Sequence, residues 1–278
     1  MLDKNIPEID IPKLWLYTEI FNNAFNYSFK VPDNDTCDHC DRYLVQLKQS
    51  TPEERMVVQR EYDQHLTESS DRYALKRQDK SNSKVNKKHK VLTVNLEKCL
   101  PTPGLTNAQS FYSLKLWTFN YTIKDVSKIH TTCCIWDESV AGKWGNEMAS
   151  CLLKLALVNV GKDVEEITIW SDNCPSQNRN INSVLACFTI LRQIPTLKVI
   201  NHKYLLRGHT HLEVDSDHSL IERSRKRMTK FQIMTPWYWQ QLVRISSISN
   251  PFEVINMETT DFKKILVTDR GIQCTLSA

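Results

Sequence analysis

The sequence predicts an α/β fold in which a mixed sheet is flanked by helices. Strand-like runs rich in β-branched and aromatic residues recur between residues 91 and 206. Segments with one apolar face at helical spacing alternate with the later runs. The order is three strands, helix, strand, helix, strand and helix. That order is typical of a sheet with helices on its faces.

The core is expected to contain five strands and three helices. The predicted strands are Val91–Glu97, Leu114–Ile123, Ile129–Asp137, Glu166–Ser171 and Leu197–Leu206. The predicted helices are Gly142–Val160, Ile181–Ile194 and Asp215–Arg225. Residues 101–104, which include two prolines and a glycine, are predicted to end the first strand and open a loop.

The region before the core is predicted to be a small helical region that contains cysteines. Residues 11–30 indicate a short helix, and Cys37-x-x-Cys40 follows in a turn-rich knuckle. Thr51 before a proline favours a helix start, so a polar helix is predicted from Thr51 to about residue 80, with a basic linker over residues 81–89. The expected regions are therefore 1–50, 51–89, 90–230 and a C-terminal extension, 231–278.

Composition narrows the class of protein. The 278 residues are 41% hydrophobic and 24% charged, which is ordinary for a globular chain. No apolar run approaches the ~20 residues of a membrane helix, and the first residues lack a signal-peptide pattern. Nine irregularly spaced cysteines argue against a disulfide framework. We therefore expect an intracellular protein without a membrane partner.

Basic residues are concentrated in two stretches, although the net charge is only +4. One reading is solvated helix surface or linker, and the other is a surface that contacts phosphates. The two stretches comprise Lys76, Arg77, Lys80, Lys84, Lys87, Lys88 and Lys90, then Arg223, Arg225, Lys226, Arg227 and Lys230.

Acidic residues suggest a metal site for phosphoryl transfer. Asp172 directly follows a buried strand, which is where α/β folds place binding and catalytic groups. A second cluster follows at Asp215, Asp217 and Glu222. Two-metal sites need several converging carboxylates to hold Mg²⁺. Asp172 and Asp217 are the predicted Mg²⁺ ligands, with Asp215 and Glu222 as alternatives to Asp217.

One expected acid is missing from the first strand. Leu92, Val94 and Leu96 alternate with Asn95 and Glu97, so the two polar residues share the opposite face of the strand. The acid is expected at Asn95, and an amide there removes one negative charge from the site. Glu97 lies about 7 Å further along the same face and is a less favoured substitute.

A set of motifs in a fixed order resembles a large group of transposon-derived eukaryotic proteins with a ribonuclease H-like, transposase-type domain. The motifs include Asp35-Thr-Cys-Asp-His-Cys-Asp41, Val91-Leu-Thr-Val-Asn-Leu-Glu97, Ser171-Asp-Asn-Cys174, Gln177-Asn-Arg-Asn180, Gly208-His-Thr-His211 and Asp215-Ser-Asp-His-Ser-Leu-Ile-Glu222. The resemblance covers most of residues 20–255. It implies a ribonuclease H-like fold, a DNA partner, a nuclear location and metal-dependent DNA cleavage and strand transfer, with no small-molecule substrate.

The chain departs from that group at two places. The first-strand residue is usually Asp in the group, whereas this chain has Asn95. A Gly-Gly pair that precedes the Gln-Asn motif is replaced here by Pro175-Ser176. The resemblance therefore leaves two functions open: an active Mg²⁺-dependent enzyme, and a domesticated relative that binds nucleic acid or protein without cutting.

Cys37 and Cys40 have the spacing of a zinc knuckle. His65 is the candidate third ligand, and His39 is sterically less favoured. A fourth ligand is expected either upstream of this sequence or from elsewhere in the fold. The alternative is a pair of free thiols. His209 and His211 are expected to make polar contacts at the end of the sheet, with a metal or phosphate role as the other reading.

Overall fold

The computed structural model describes residues 13–24, 37–104, 114–228, 232–268 and 271–276. The chain divides into two compact units, Met1–Thr36 and Cys37–Ala278. In the first unit, helix α1 spans Leu14–Ala24, within the predicted helical segment. The rest of that prediction lies outside the described residues.

The second unit begins with a helical hairpin. Helix α2 (Asp38–Gln49) begins directly after Cys37, so Cys40 lies in a helix and not in the predicted knuckle. Helix α3 (Pro52–Val85) begins at a capping box, in which Thr51 and Glu54 each bond the other's backbone N–H. The helix continues five residues beyond the predicted end, through part of the expected linker.

The centre of this unit is a seven-stranded mixed sheet. Its strands are β1 (His89–Leu96), β2 (Leu100–Thr102), β3 (Leu116–Asp125), β4 (His130–Asp137), β5 (Glu166–Ser171), β6 (Val199–Tyr204) and β7 (Glu253–Asn256). The order across the sheet is β6-β5-β1-β3-β4-β7, with β2 paired to β3. Strands β1, β3 and β4 are antiparallel, whereas β5, β6 and β7 each run parallel to a neighbour.

The α/β class and the mixed sheet with flanking helices are confirmed, but the predicted strand number is too small. Residues 100–102, expected in a loop, pair with β3, and β7 pairs with β4 from within the C-terminal extension. Both added strands are short. β7 shows no alternation of buried and exposed residues, so its sequence carries little strand signal.

Helices cover both faces of the sheet. The remaining helices of the described residues are α4 (Gly145–Asn159), α5 (Ile181–Gln193), α6 (Glu213–Arg227) and α7 (Pro236–Ile245). Leu92 and Val94 of β1 pack with residues of α4 and α5 in the largest apolar cluster. Val91, on the opposite face, packs with Trp170, Leu212 and Val214, beside α3 and α6. The alternation predicted for β1 is therefore confirmed.

A 3₁₀ turn (Thr259–Asp261) leads from β7 to a final hairpin, β8 (Lys263–Thr268) with β9 (Gly271–Leu276). The hairpin is linked to α4 through Ser150, whose hydroxyl accepts the Lys263 N–H at 2.9 Å.

Candidate metal sites

The first candidate site lies where β1 and β5 end. These strands are parallel, with Thr93 opposite Trp170. Carrying the register two residues further brings Asn95 beside Asp172, on strands separated by about 4.8 Å. The predicted first-strand position and the acid after the fourth core strand therefore occupy the same edge of the sheet.

Asp215 joins this group from helix α6. The Asn95 side chain donates from Nδ2 to Asp215 Oδ1 at 2.9 Å. The other carboxylate oxygen, Oδ2, accepts the backbone N–H of Leu212 at 2.8 Å and thereby caps the helix. Asn95, Asp172 and Asp215, which we call the sheet-end cluster, thus come from three separate elements.

Asp172 is oriented by the turn that follows it. Its Oδ1 accepts the Cys174 N–H at 3.2 Å and the Asn178 side-chain N–H at 2.7 Å. Asn178 is almost fully buried and is itself held by the Tyr121 hydroxyl at 3.1 Å. The motif from residue 171 to residue 180 therefore fixes one oxygen of Asp172 through a backbone N–H and a side-chain amide.

The other two predicted acids are engaged by lysines. Asp217, predicted as a metal ligand, instead forms a buried ion pair with Lys124 Nζ at 2.7 and 2.8 Å and accepts the Thr131 hydroxyl at 3.0 Å. Residues 215 and 217 differ by about 200° around a helix, so they face different parts of the sheet. Glu222 binds Lys98 at 2.6 Å. Of the three later acids, we therefore assign only Asp215 to the sheet-end cluster.

A buried polar network lies beside this cluster on the same face. Glu97 accepts the Asn120 side-chain N–H at 2.8 Å, and burial raises the pKa of its carboxyl to about 7. His218 of α6 contacts the Thr122 hydroxyl at 3.0 Å, and burial lowers its pKa to about 4. Glu97 is thus a poor replacement for the missing acid, because burial opposes its ionisation.

The second candidate site joins the helical hairpin to the loop after β6. Cys37, Cys40, His65 and His209, which we call the Cys/His cluster, place four ligand atoms within 4.8 Å of one another. Cys37 Sγ is 3.3 Å from His65 Nε2, and Cys40 Sγ is 3.2 Å from His209 Nε2. The two Nε2 atoms are 3.2 Å apart. Such a donor set could bind a metal ion such as Zn²⁺.

Local sequence explains how these side chains meet. Cys37 precedes α2 and Cys40 lies in its first turn, so both thiols lie at one helix end. Gly208 has φ +78°, and a Cβ there would lie 2.6 Å from the Cα and Cβ of Cys37. Only glycine permits this approach, which delivers the next residue, His209, to the thiols. Burial raises the pKa of the Cys40 thiol to about 11.

The predicted trio Cys37, Cys40 and His65 is thus brought together, and His209 completes it. His209 was expected to make polar contacts at the sheet end. The signal that could have identified it is a glycine, Gly208, directly before the histidine. His39, the sterically less favoured candidate, lies outside the four-residue set, with its ring centre 5.6 Å from that of His65.

Most lysines of the first basic stretch are paired with acids. Lys76 and Lys80 both bind Glu213, at 3.0 and 3.1 Å. At the other end of the sheet, Lys88 binds Glu165, directly before β5, and Lys90 binds Asp125, the last residue of β3. These pairs attach α3 and the start of β1 to the core, so four of the seven basic residues in this stretch face acids.

A protein-family model described as a domain of unknown function (DUF7869) matches residues 143–270. The matched segment is less than half of the chain and includes Asp172, His209 and Asp215, but not Asn95. Comparisons with curated proteins and with solved structures gave no match. Among the helices of the described residues, none is long and apolar enough to cross a membrane.

Proposed function

We propose that residues 89–227 are a ribonuclease H-like phosphoryl-transfer domain, derived from a transposase or integrase that acted on DNA in the nucleus. The observation that carries the proposal is the hydrogen bond between Asn95 and Asp215, at the sheet edge where the strand register also leads to Asp172. Carboxylates and amide oxygens that converge on one point are the ligands that Mg²⁺ prefers.

The strand order supports the same proposal. An antiparallel meander of β1, β3 and β4 is continued on the other side of β1 by two parallel strands, β5 and β6. This is the arrangement expected of a ribonuclease H-like sheet. In such a sheet, the first strand, the fourth strand and a later helix supply the metal ligands, which matches the positions of the three cluster residues.

The cluster would hold a divalent ion through the carboxylates of Asp172 and Asp215 and the side-chain carbonyl oxygen of Asn95. A bound Mg²⁺ ion would stabilise charge on the phosphate and activate the attacking oxygen. Replacing a first-strand carboxylate by Asn95 removes one unit of negative charge. Because the attraction between ion and ligands is mainly Coulombic, we propose that this chain binds Mg²⁺ weakly and cuts DNA slowly.

A specific contact favours a second candidate, a nucleic-acid-binding or protein-binding module without cleavage activity. The Asn95 amide donates to Asp215, so the two side chains satisfy each other without an ion. Two carboxylates at that distance would repel each other unless a cation lay between them. The hydrogen bond between Asn95 and Asp215 therefore suits a domain that does not bind metal at this site.

Nicking of supercoiled DNA in the presence of Mn²⁺ or Mg²⁺ separates the two candidates. We expect slow nicking by the wild type, about tenfold faster nicking by Asn95→Asp, and none by Asp172→Ala. Asp163→Ala is the matched control, because Asp163 is an exposed aspartate in a turn outside the sheet-end cluster. No nicking even by Asn95→Asp would overturn the enzyme proposal. Wild-type nicking that Asp172→Ala abolishes would exclude the non-cutting module.

A further inference from the structure

The Cys/His cluster is geometrically suited to a tetrahedral ion. In an ideal tetrahedral zinc site, two nitrogens lie about 3.3 Å apart, and a nitrogen and a sulfur about 3.6 Å apart. The corresponding distances here are 3.2 Å between the histidine nitrogens and 3.2–3.3 Å between nitrogen and sulfur. Three of the six donor-to-donor distances are thus within about 0.4 Å of tetrahedral values, and all four ligand atoms lie within 4.8 Å of one another.

Hydrogen bonds alone do not account for this arrangement. A neutral imidazole nitrogen has either one proton or one lone pair in the ring plane, so it makes one good hydrogen bond. His65 Nε2 nevertheless faces both Cys37 Sγ and His209 Nε2, and His209 Nε2 faces both Cys40 Sγ and His65 Nε2. A central cation satisfies all four lone pairs at once, whereas shared protons leave part of the group unsatisfied.

Helix α2 has only a small apolar attachment, chiefly the Tyr43 ring beside Tyr62 and His65 of α3. None of its residues is buried, and Leu44 and Val45 are about half exposed. Cys37, directly before the helix, is buried. At the other end of α2, the Arg55 guanidinium donates to the Leu47 carbonyl oxygen. A short helix without a buried face is the kind of element that a structural metal stabilises.

We propose that Cys37, Cys40, His65 and His209 bind one structural Zn²⁺ ion, which fixes α2 and the loop from Leu206 to Leu212 onto helix α3. Four protein ligands fill a zinc coordination sphere, so the site has no position open for a substrate.

The zinc ion would also position the loop that leads to Asp215. His209 and His211 are already attached to α3, because the Tyr73 hydroxyl donates to the His209 carbonyl oxygen and accepts the His211 N–H. At the far end of the loop, the Leu212 N–H binds Asp215. Zinc at His209 thus limits the motion of the segment that connects the Cys/His cluster to the sheet-end cluster. This inference does not depend on nuclease activity.

Metal analysis of the purified full chain tests the zinc site directly. We expect one zinc per chain in the wild type, and Co²⁺ exchange should give the visible absorption of a tetrahedral thiolate site. Cys40→Ser and His209→Ala should lose the metal. The matched controls are Cys99→Ser, a half-buried cysteine elsewhere, and His39→Ala, whose ring lies beside His65. Both controls should retain one zinc.

The proposal fails if the wild type has no zinc and does not take up Co²⁺, or if His39→Ala loses the metal while His209→Ala keeps it. Cys40→His retains a donor, so it should bind Co²⁺ with an altered spectrum even if Cys40→Ser does not fold. Removing zinc from the wild type with a chelator should accelerate hydrogen exchange at least tenfold in residues 38–49 and 206–212, but not in α4. Unchanged exchange in those segments would contradict the proposal that zinc fixes α2 and the loop from Leu206 to Leu212 onto α3.

Discussion

The two metal-ligand clusters of this chain differ in completeness. The Cys/His cluster has four donors of the right chemistry, and a glycine permits their close approach. The sheet-end cluster has two acids and an amide, and the amide of Asn95 donates to only one of the acids, Asp215. Under the proposed function, the comparison teaches that the scaffold around a site can persist when its charge is reduced. A zinc ion bound to His209 would hold the loop before Asp215 in place whether or not the sheet-end cluster binds metal.

Gly208→Ala should cause the largest loss of stability, because it disrupts the Cys/His cluster. The alanine would adopt a left-handed conformation and overlap Cys37, so we expect a loss of roughly 5 kcal/mol together with the bound zinc. Chemical denaturation and metal analysis measure both effects. Gly161→Ala is the control, since its Cβ would meet only Val164, at 3.8 Å. Equal, small effects of the two substitutions would show that the cluster does not need this close approach.

Asp217→Asn tests whether Asp217 belongs to the sheet-end cluster. The substitution leaves the half-buried Lys124 ammonium without its partner, so we expect a loss of about 3–4 kcal/mol of unfolding free energy and unchanged Mn²⁺ affinity. Asp215→Asn should show the reverse, with a smaller loss of stability and weaker Mn²⁺ binding. If Asp217→Asn weakens Mn²⁺ binding as much as Asp215→Asn does, our choice of acid is wrong.

Glu97→Gln tests whether the buried carboxyl of Glu97, beside the sheet-end cluster, stays protonated in the folded protein up to about pH 7. Burial raises the folded-state pKa of Glu97 to about 7 from an ordinary value of 4.5. The folded protein therefore retains a proton that the unfolded chain has released, and the wild type loses stability as pH rises from about 4.5 to 7. Glutamine removes that loss and keeps an acceptor for Asn120.

Relative to wild type, Glu97→Gln should gain roughly 3 kcal/mol of unfolding free energy above pH 7 and almost nothing below pH 4.5. Denaturant titrations at pH 4.5 and pH 8 measure the difference. His218, whose pKa is lowered to about 4, makes stability rise with pH between about 4 and 6.5 in both proteins, so its contribution cancels. A variant less stable than wild type at pH 8 would contradict the assignment.

Local patterns predicted most of the core but not the long-range contacts. Alternation in β1 placed Asn95 and Glu97 on one face, and the helical faces of α4 to α6 followed from their apolar spacing. The short strands β2 and β7 were missed because a strand of three or four residues has too few positions to show a period. The choice among Asp215, Asp217 and Glu222 depended on which lysines lie opposite them, which spacing does not reveal.

The zinc ligands illustrate the same limit. Cys37-x-x-Cys40 is recognisable because its members are close in sequence, whereas His209 lies 169 residues beyond Cys40. Only the packing of α3 against the loop after β6 brings the two together. The available clue in the sequence was a glycine, Gly208, directly before His209, and the structure shows that this glycine is left-handed.

Titration of zinc-loaded protein with Mn²⁺, followed by electron paramagnetic resonance, tests the central difference between the clusters most directly. We predict weak Mn²⁺ binding by the wild type, about tenfold tighter binding by Asn95→Asp (~1.4 kcal/mol), and no binding at this site in Asp172→Ala, with the zinc content unchanged in all three. An Mn²⁺ affinity that Asn95→Asp leaves unchanged would contradict the account, because the sheet-end cluster would then not be a metal site reduced by one charge.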